Sequence, residues 1–180
     1  MDSSQADIIR MRQWIGMCEN HHGTACGSFY EKETNRALES GSFRVIDLEQ
    51  MCLLDAKARI RYATLSYCWG LVQFFMLKKS NLKQLYVTGA FKSISLPRTI
   101  EQSLELAKLL GFRYFWIDSL CIIQDDREDW ATVAPLMDRI YGNSVLTICA
   151  AGGNDVQYGL PGALPGSRDL IQHLEKCNGA

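Results

Sequence analysis

A helix pattern held between two β-rich runs constrains this chain more than any other feature of its sequence. The runs are Tyr62-Ala63-Thr64-Leu65-Ser66-Tyr67, stopped by Gly70, and Tyr114-Phe115-Trp116-Ile117. Aromatic and β-branched residues at that density suit strands, and four large apolar side chains in a row suit a strand buried on both faces. Between the runs, Ile100, Leu104, Ala107 and Leu110 recur on one face of a helix that starts after Pro97 and stops at Gly111. Thr99 and Gln102 have the spacing of a capping box, in which hydroxyl and amide satisfy the free amide donors of the first turn. A second helix is expected over about residues 129–141. It would turn Trp130, Val133, Met137, Ile140 and Tyr141 inward, with Pro135 kinking it or delaying its start. Val145-Leu146-Thr147-Ile148-Cys149-Ala150 then supplies another strand. Strand, helix, strand, helix, strand implies an α/β domain with a doubly wound, mostly parallel sheet flanked by helices and right-handed crossovers.

The flanks are less patterned. Ile8, Met11, Ile15 and Cys18 suit a short amphipathic helix, and residues 19–41 read as a polar loop or lid. Phe43-Arg44-Val45-Ile46-Asp47-Leu48 alternates as a strand, and Leu85-Tyr86-Val87 suggests a short one. Beyond Gly152 the chain is rich in Gly and Pro, with helical potential only over 168–176. The expected division is therefore an N-terminal helix and Cys/His-containing segment (1–42), an α/β domain (43–151) and a weakly ordered tail (152–180). At 180 residues this is one domain. A net charge of −1 supplies no field for nucleic acid, and no apolar run approaches the ~20 residues of a membrane span. The first residues lack a basic then apolar leader pattern. Seven cysteines, an odd number without framework spacing, suggest a reduced, cytoplasmic protein.

In a doubly wound sheet, ligands bind outside the carboxyl ends of the strands. Two polar clusters fall there: Ser66-Tyr67-Cys68-Trp69-Gly70, and Asp118-Ser119-Leu120-Cys121 followed by Gln124-Asp125-Asp126. If the strands are neighbours, Ser66, Asp118 and Gln124 converge on one crevice. Tyr67, Trp69, Gly70, Ser119 and Asp125 would complete its binding surface, with Ser66 and Asp118 the catalytic candidates. The competing reading is that Asp and Ser after a strand simply close a turn. A thiolate nucleophile needs a base, yet the only histidines are His21, His22 and His173, and Cys121 reads as core. Neither a Gly-x-Ser-x-Gly elbow nor a phosphate-cradling loop is present. Cys18, His22 and Cys26, with His21 nearby, could hold zinc, but no second cysteine pair accompanies them. The preferred reading is a packed or solvated loop without metal.

Read in order, Tyr62 to Gly70, Leu96-Pro97-Arg98-Thr99-Ile100 and Arg113 to Asp126 resemble the heterokaryon incompatibility (HET) domain of filamentous fungi. Asp129-Trp130, Met137, Ile140-Tyr141 and Leu146-Thr147-Ile148 extend the likeness across residues 43–151. The pattern of Trp14, Cys18, His22 and Cys26 is similar to a segment often found upstream. The resemblance implies a role in allorecognition and regulated cell death, through protein partners or self-association. It also implies a distant TIR- or flavodoxin-like fold, with Leu65-Ser66-Tyr67 ending the corresponding strand. TIR domains serve as scaffolds or cleave NAD with a glutamate, so an NAD-cleaving hydrolase is the alternative, with NAD as substrate. No glutamate here matches that role by motif: Glu101, Glu105 and Glu128 read as solvated. HET sequences usually continue to a Trp-Thr-Leu-Gln-Glu-like segment, which this chain lacks, so a C-terminally truncated, inactive copy is a third reading.

Overall fold

The computed structural model describes residues 5–22, 43–56 and 60–168. Five strands form one mixed sheet: β1 (Arg44–Asp47), β2 (Cys52–Asp55), β3 (Tyr62–Tyr67), β4 (Tyr114–Trp116) and β5 (Leu146–Ala150), in the order β2-β1-β4-β3-β5. β3 runs parallel to both β4 and β5, as the sequence implies. β1 runs antiparallel to β4, pairing Ile46 with Phe115, and antiparallel to β2. Two of the four pairings are thus antiparallel, so the sheet is mixed rather than mostly parallel. The cause is a hairpin that the sequence does not announce. Asp47 Oδ1 accepts the amides of Glu49 and Gln50 at 2.9 and 3.0 Å, and Met51 takes φ 52° where glycine is usual.

The helices are α1 (Ile8–His21), α2 (Leu82–Leu85), α3 (Arg98–Leu109), α4 (Asp118–Cys121), α5 (Arg127–Val133) and α6 (Met137–Gly142). α1 begins where the Asp7 carboxylate accepts the Arg10 amide at 2.9 Å. It packs Ile8, Met11 and Ile15 against the core, while Cys18 stays exposed. Residues 85–87 are not a strand: Leu85, fully buried, ends α2. Pro135 has the expected effect, since one 3₁₀ turn at Ala134–Leu136 separates α5 from α6. Two tyrosines tie α6 to β3, through Tyr62 Oη to the Ile140 carbonyl at 2.7 Å and Tyr141 Oη to the Leu65 carbonyl at 3.0 Å. Trp116, 1% exposed, meets Tyr141 edge-on with ring centroids 5.5 Å apart.

Thr99 and Gln102 do not cap α3. Its N-cap, Pro97, makes no side-chain bond. Thr99 Oγ1 instead accepts the Gly159 amide at 2.9 Å, and Gln102 Oε1 accepts the Leu160 amide. The first-turn amides look to the same segment, Thr99 N donating to the Val156 carbonyl at 3.0 Å. Residues 152–168, rich in Gly and Pro, are therefore packed, burying Val156, Leu160 and Ala163. Glycine and proline here supply turns for a docked segment. The helix expected over 168–176 lies outside the described residues beyond Arg168.

Arg44 enters the core at 7% exposure. Its Nη2 and Nη1 donate to the two carboxylate oxygens of Asp129 at 2.6 and 3.0 Å, and Nη1 also reaches the Cys121 carbonyl at 3.1 Å. Asp129 in turn accepts the Ile123 amide at 2.7 Å. Burial works against the Arg44 charge, but the Asp129 carboxylate outweighs it and holds the guanidinium pKa above its ordinary value.

Candidate functional site

The parallel register of β3 and β4, with Thr64 opposite Trp116, brings the carboxyl ends of the two strands side by side. β3 leaves Tyr67 and Trp69 there, and β4 turns directly into α4 at Asp118. Tyr67 Oη donates to Ser119 Oγ at 2.6 Å, and Trp69 Nε1 donates to Asp118 Oδ2 at 3.1 Å. Asp118 Oδ1 accepts the Ser119 amide at 2.7 Å. Gln124 Nε2 donates to the Asp118 and Ile122 carbonyls at 3.1 and 2.9 Å, fixing the backbone beneath the acid. The Tyr67 and Trp69 rings stack at 6.5 Å, and Phe74 stands edge-on to Trp69 at 5.7 Å.

Of the residues singled out from sequence, Tyr67, Trp69, Asp118, Ser119 and Gln124 form this cluster. Ser66 does not join its hydrogen bonds. Side chains alternate along a strand, so Ser66 lies on the sheet face opposite Tyr67, and it is exposed. Asp125 stands apart, accepting the Lys79 amide at 2.8 Å, while the Lys79 ammonium pairs with Asp126 at 3.1 Å. Those contacts anchor the segment that returns from Trp69. Gly70 has φ 70°, and a Cβ there would collide with the Asp155 side chain. Phe74 and Asp155 are the residues that sequence reasoning missed. Neither carries a motif, and both are brought in by loops.

Burial raises the Asp118 pKa above the ordinary carboxylate value, against the pull of the Ser119 amide, Tyr67 and Trp69. Burial and the neighbouring Asp118 also raise the Tyr67 phenol. Among the described residues, Asp118 thus faces hydrogen-bond donors and pairs with no cation. Burial pushes the Cys121 thiol up to about 12, which keeps it a neutral core residue at physiological pH. Cys68 is exposed, with Sγ 3.2 Å from the Asn154 carbonyl. Cys18 is also exposed, on α1, and His22 directly follows that helix, but Cys26 lies outside the described residues. Among the described residues no group of three His, Cys, Asp or Glu is placed to hold a metal ion. Likewise, among them no helix is long and apolar enough to cross a membrane.

No curated protein and no solved structure matches the chain. The family model described as heterokaryon incompatibility protein (HET) matches residues 62–178, more than half of the sequence. That span opens at β3, includes every residue of the aromatic and acid cluster, and runs through the segment docked on α3. The chain belongs to the heterokaryon incompatibility (HET) protein family.

Proposed function

We propose that this chain acts in fungal allorecognition and regulated cell death as a cytoplasmic interaction domain, through self-association or a protein partner. The observation that carries this reading is the state of Asp118. Both its carboxylate oxygens are engaged inside the protein, by Trp69 and by the Ser119 amide, which suits a fixed recognition surface better than a turnover site. The glutamates Glu101, Glu105 and Glu128 lie exposed on α3 and α5, and none of them is among the hydrogen-bond partners of Asp118. The parallel β4-β3-β5 unit supports kinship with TIR- and flavodoxin-like folds.

The test is inducible expression in a fungal host, comparing the native chain with Asp118→Asn. Asparagine keeps the size and one acceptor but removes the charge. Growth arrest with the native chain, abolished by Asp118→Asn in a folded protein, is the expected result. Harmless expression of the native chain would sink the cell-death role. Release of nicotinamide from NAD by the purified chain, lost in Asp118→Asn, would replace the interaction reading with hydrolysis.

A further inference from the structure

If the chain self-associates, two copies must meet somewhere, and two adjoining features at the carboxyl end of the sheet fit each other. The first is a loop. Residues 68–77 read Cys-Trp-Gly-Leu-Val-Gln-Phe-Phe-Met-Leu and carry no charge. Leu71 is 103% exposed and Val72 38%. Residues 72–78 belong to no helix or strand. Trp69 and Phe74 are both half-buried, whereas Leu71 stands fully exposed between them.

The second is a groove of about 350 Å³, lined by Met11, Leu106, Ile148, Cys149, Tyr158 and Leu160 among others, with no charged side chain among the described residues of its wall. Residues 148–152 line it consecutively, so the edge of β5, rather than one face of the sheet, borders it. β5 is an outer strand among the described residues. It contains neither charge nor proline, the usual devices that discourage an added strand.

We propose that loop and groove are two halves of one interface. The loop around Leu71 of a second copy enters the β5 groove, with Leu71 as its anchor. This rests on the self-association reading given above. An uncharged apolar tip suits an uncharged apolar wall, whereas a charged partner segment would lose its hydration there without compensation. The loop backbone, committed to no regular element, is free to pair with the β5 edge as Leu71 is buried. The two features are also neighbours. Cys68 Sγ lies 3.2 Å from the Asn154 carbonyl, two residues beyond groove-lining Gly152. Adjacent complementary surfaces can be exchanged reciprocally about a two-fold axis, giving a closed dimer rather than a fibre.

Light scattering over a concentration series tests this with the native chain, Leu71→Asp and Cys149→Arg. Both changed side chains are exposed, so the variants should melt like the native chain. The native chain should dimerise, and each variant should weaken the dimer tenfold or more. In a Cys18→Ser, Cys68→Ser background, Leu71→Cys treated with oxidised glutathione should give a 71–149 bond between chains. Two thiols are oxidised and one glutathione disulfide is reduced, and peptide mass mapping locates the bond. A dimer left intact by both charged variants, or crosslinked elsewhere, overturns this interface while self-association stands. A monomer at every concentration overturns both.

Discussion

Two carboxylates of this protein, the buried Asp129 and the half-buried Asp118, are met in opposite ways. Asp129 meets the guanidinium of Arg44 in two hydrogen bonds, so charge faces charge between α5 and β1. Asp118 meets an indole and a backbone amide, so among the described residues its charge faces neutral donors. The first arrangement pins the antiparallel part of the sheet to α5. It stabilises a position rather than a chemistry, because removing either partner strands the other. The second leaves an acid whose ionisation state depends on its surroundings, at the end of the parallel strands where α/β folds bind ligands. One sequence thus uses the same side chain as scaffold at one place and as a candidate for recognition at another.

The comparison breaks most visibly at Asp129. Asp129→Ala should cost roughly 3–5 kcal/mol in chemical denaturation, since it leaves Arg44 buried and uncompensated. The double variant Arg44→Met, Asp129→Leu should recover most of that loss. If the single variant melts normally, the ion pair is not a scaffold. Gly70→Ala should come next, at about 1–2 kcal/mol for the left-handed backbone alone and more from the collision with Asp155. Its effect should extend to the Trp69 environment, read by near-ultraviolet circular dichroism. Thr99→Val should cost about 1 kcal/mol, by losing the bond to the Gly159 amide. A capping role confined to α3 would predict no change in protease sensitivity around residues 155–165, whereas docking of that segment predicts faster cleavage there.

The smallest effect is the most discriminating. Asp118→Asn should stay within about 1 kcal/mol of the native chain near neutral pH. The Asp118 pKa is raised in the folded state, so its contribution is fully present below the unfolded value of about 3.9 and is lost as pH rises through the folded pKa. Relative to Asp118→Asn, the native chain should therefore lose stability as pH climbs through and above the carboxylate range. Asp47 gives the opposite sign. Arg113 and the Gln50 and Glu49 amides outweigh burial and lower its pKa, so its contribution is lost as pH falls through the folded value. A denaturation series from pH 3 to 8 on Asp118→Asn and Asp47→Asn separates the two. Parallel profiles would mean that Asp118 is an ordinary turn residue.

The parallel strands β3, β4 and β5, the helix α3, the break at Pro135 and the burial of Trp116 were legible in the sequence. Each follows from local periodicity or from a residue that forbids one backbone conformation. The aromatic and acid words at the ends of β3 and β4 were legible too, because strand ends are where polar residues interrupt apolar runs. What the sequence left open was decided by contacts between distant segments. The β1–β2 hairpin turns on Met51, a residue with no local preference for φ 52°. Arg44 reads as one polar position in a strand until Asp129, 85 residues away, makes its burial tolerable. Thr99 and Gln102 have the spacing of a local cap, but the amides of Gly159 and Leu160 take their oxygens instead. Sequence periodicity fixes which face of an element is apolar, whereas a hydrogen bond goes to whichever partner the packed chain brings within 3 Å, and only the tertiary structure decides that.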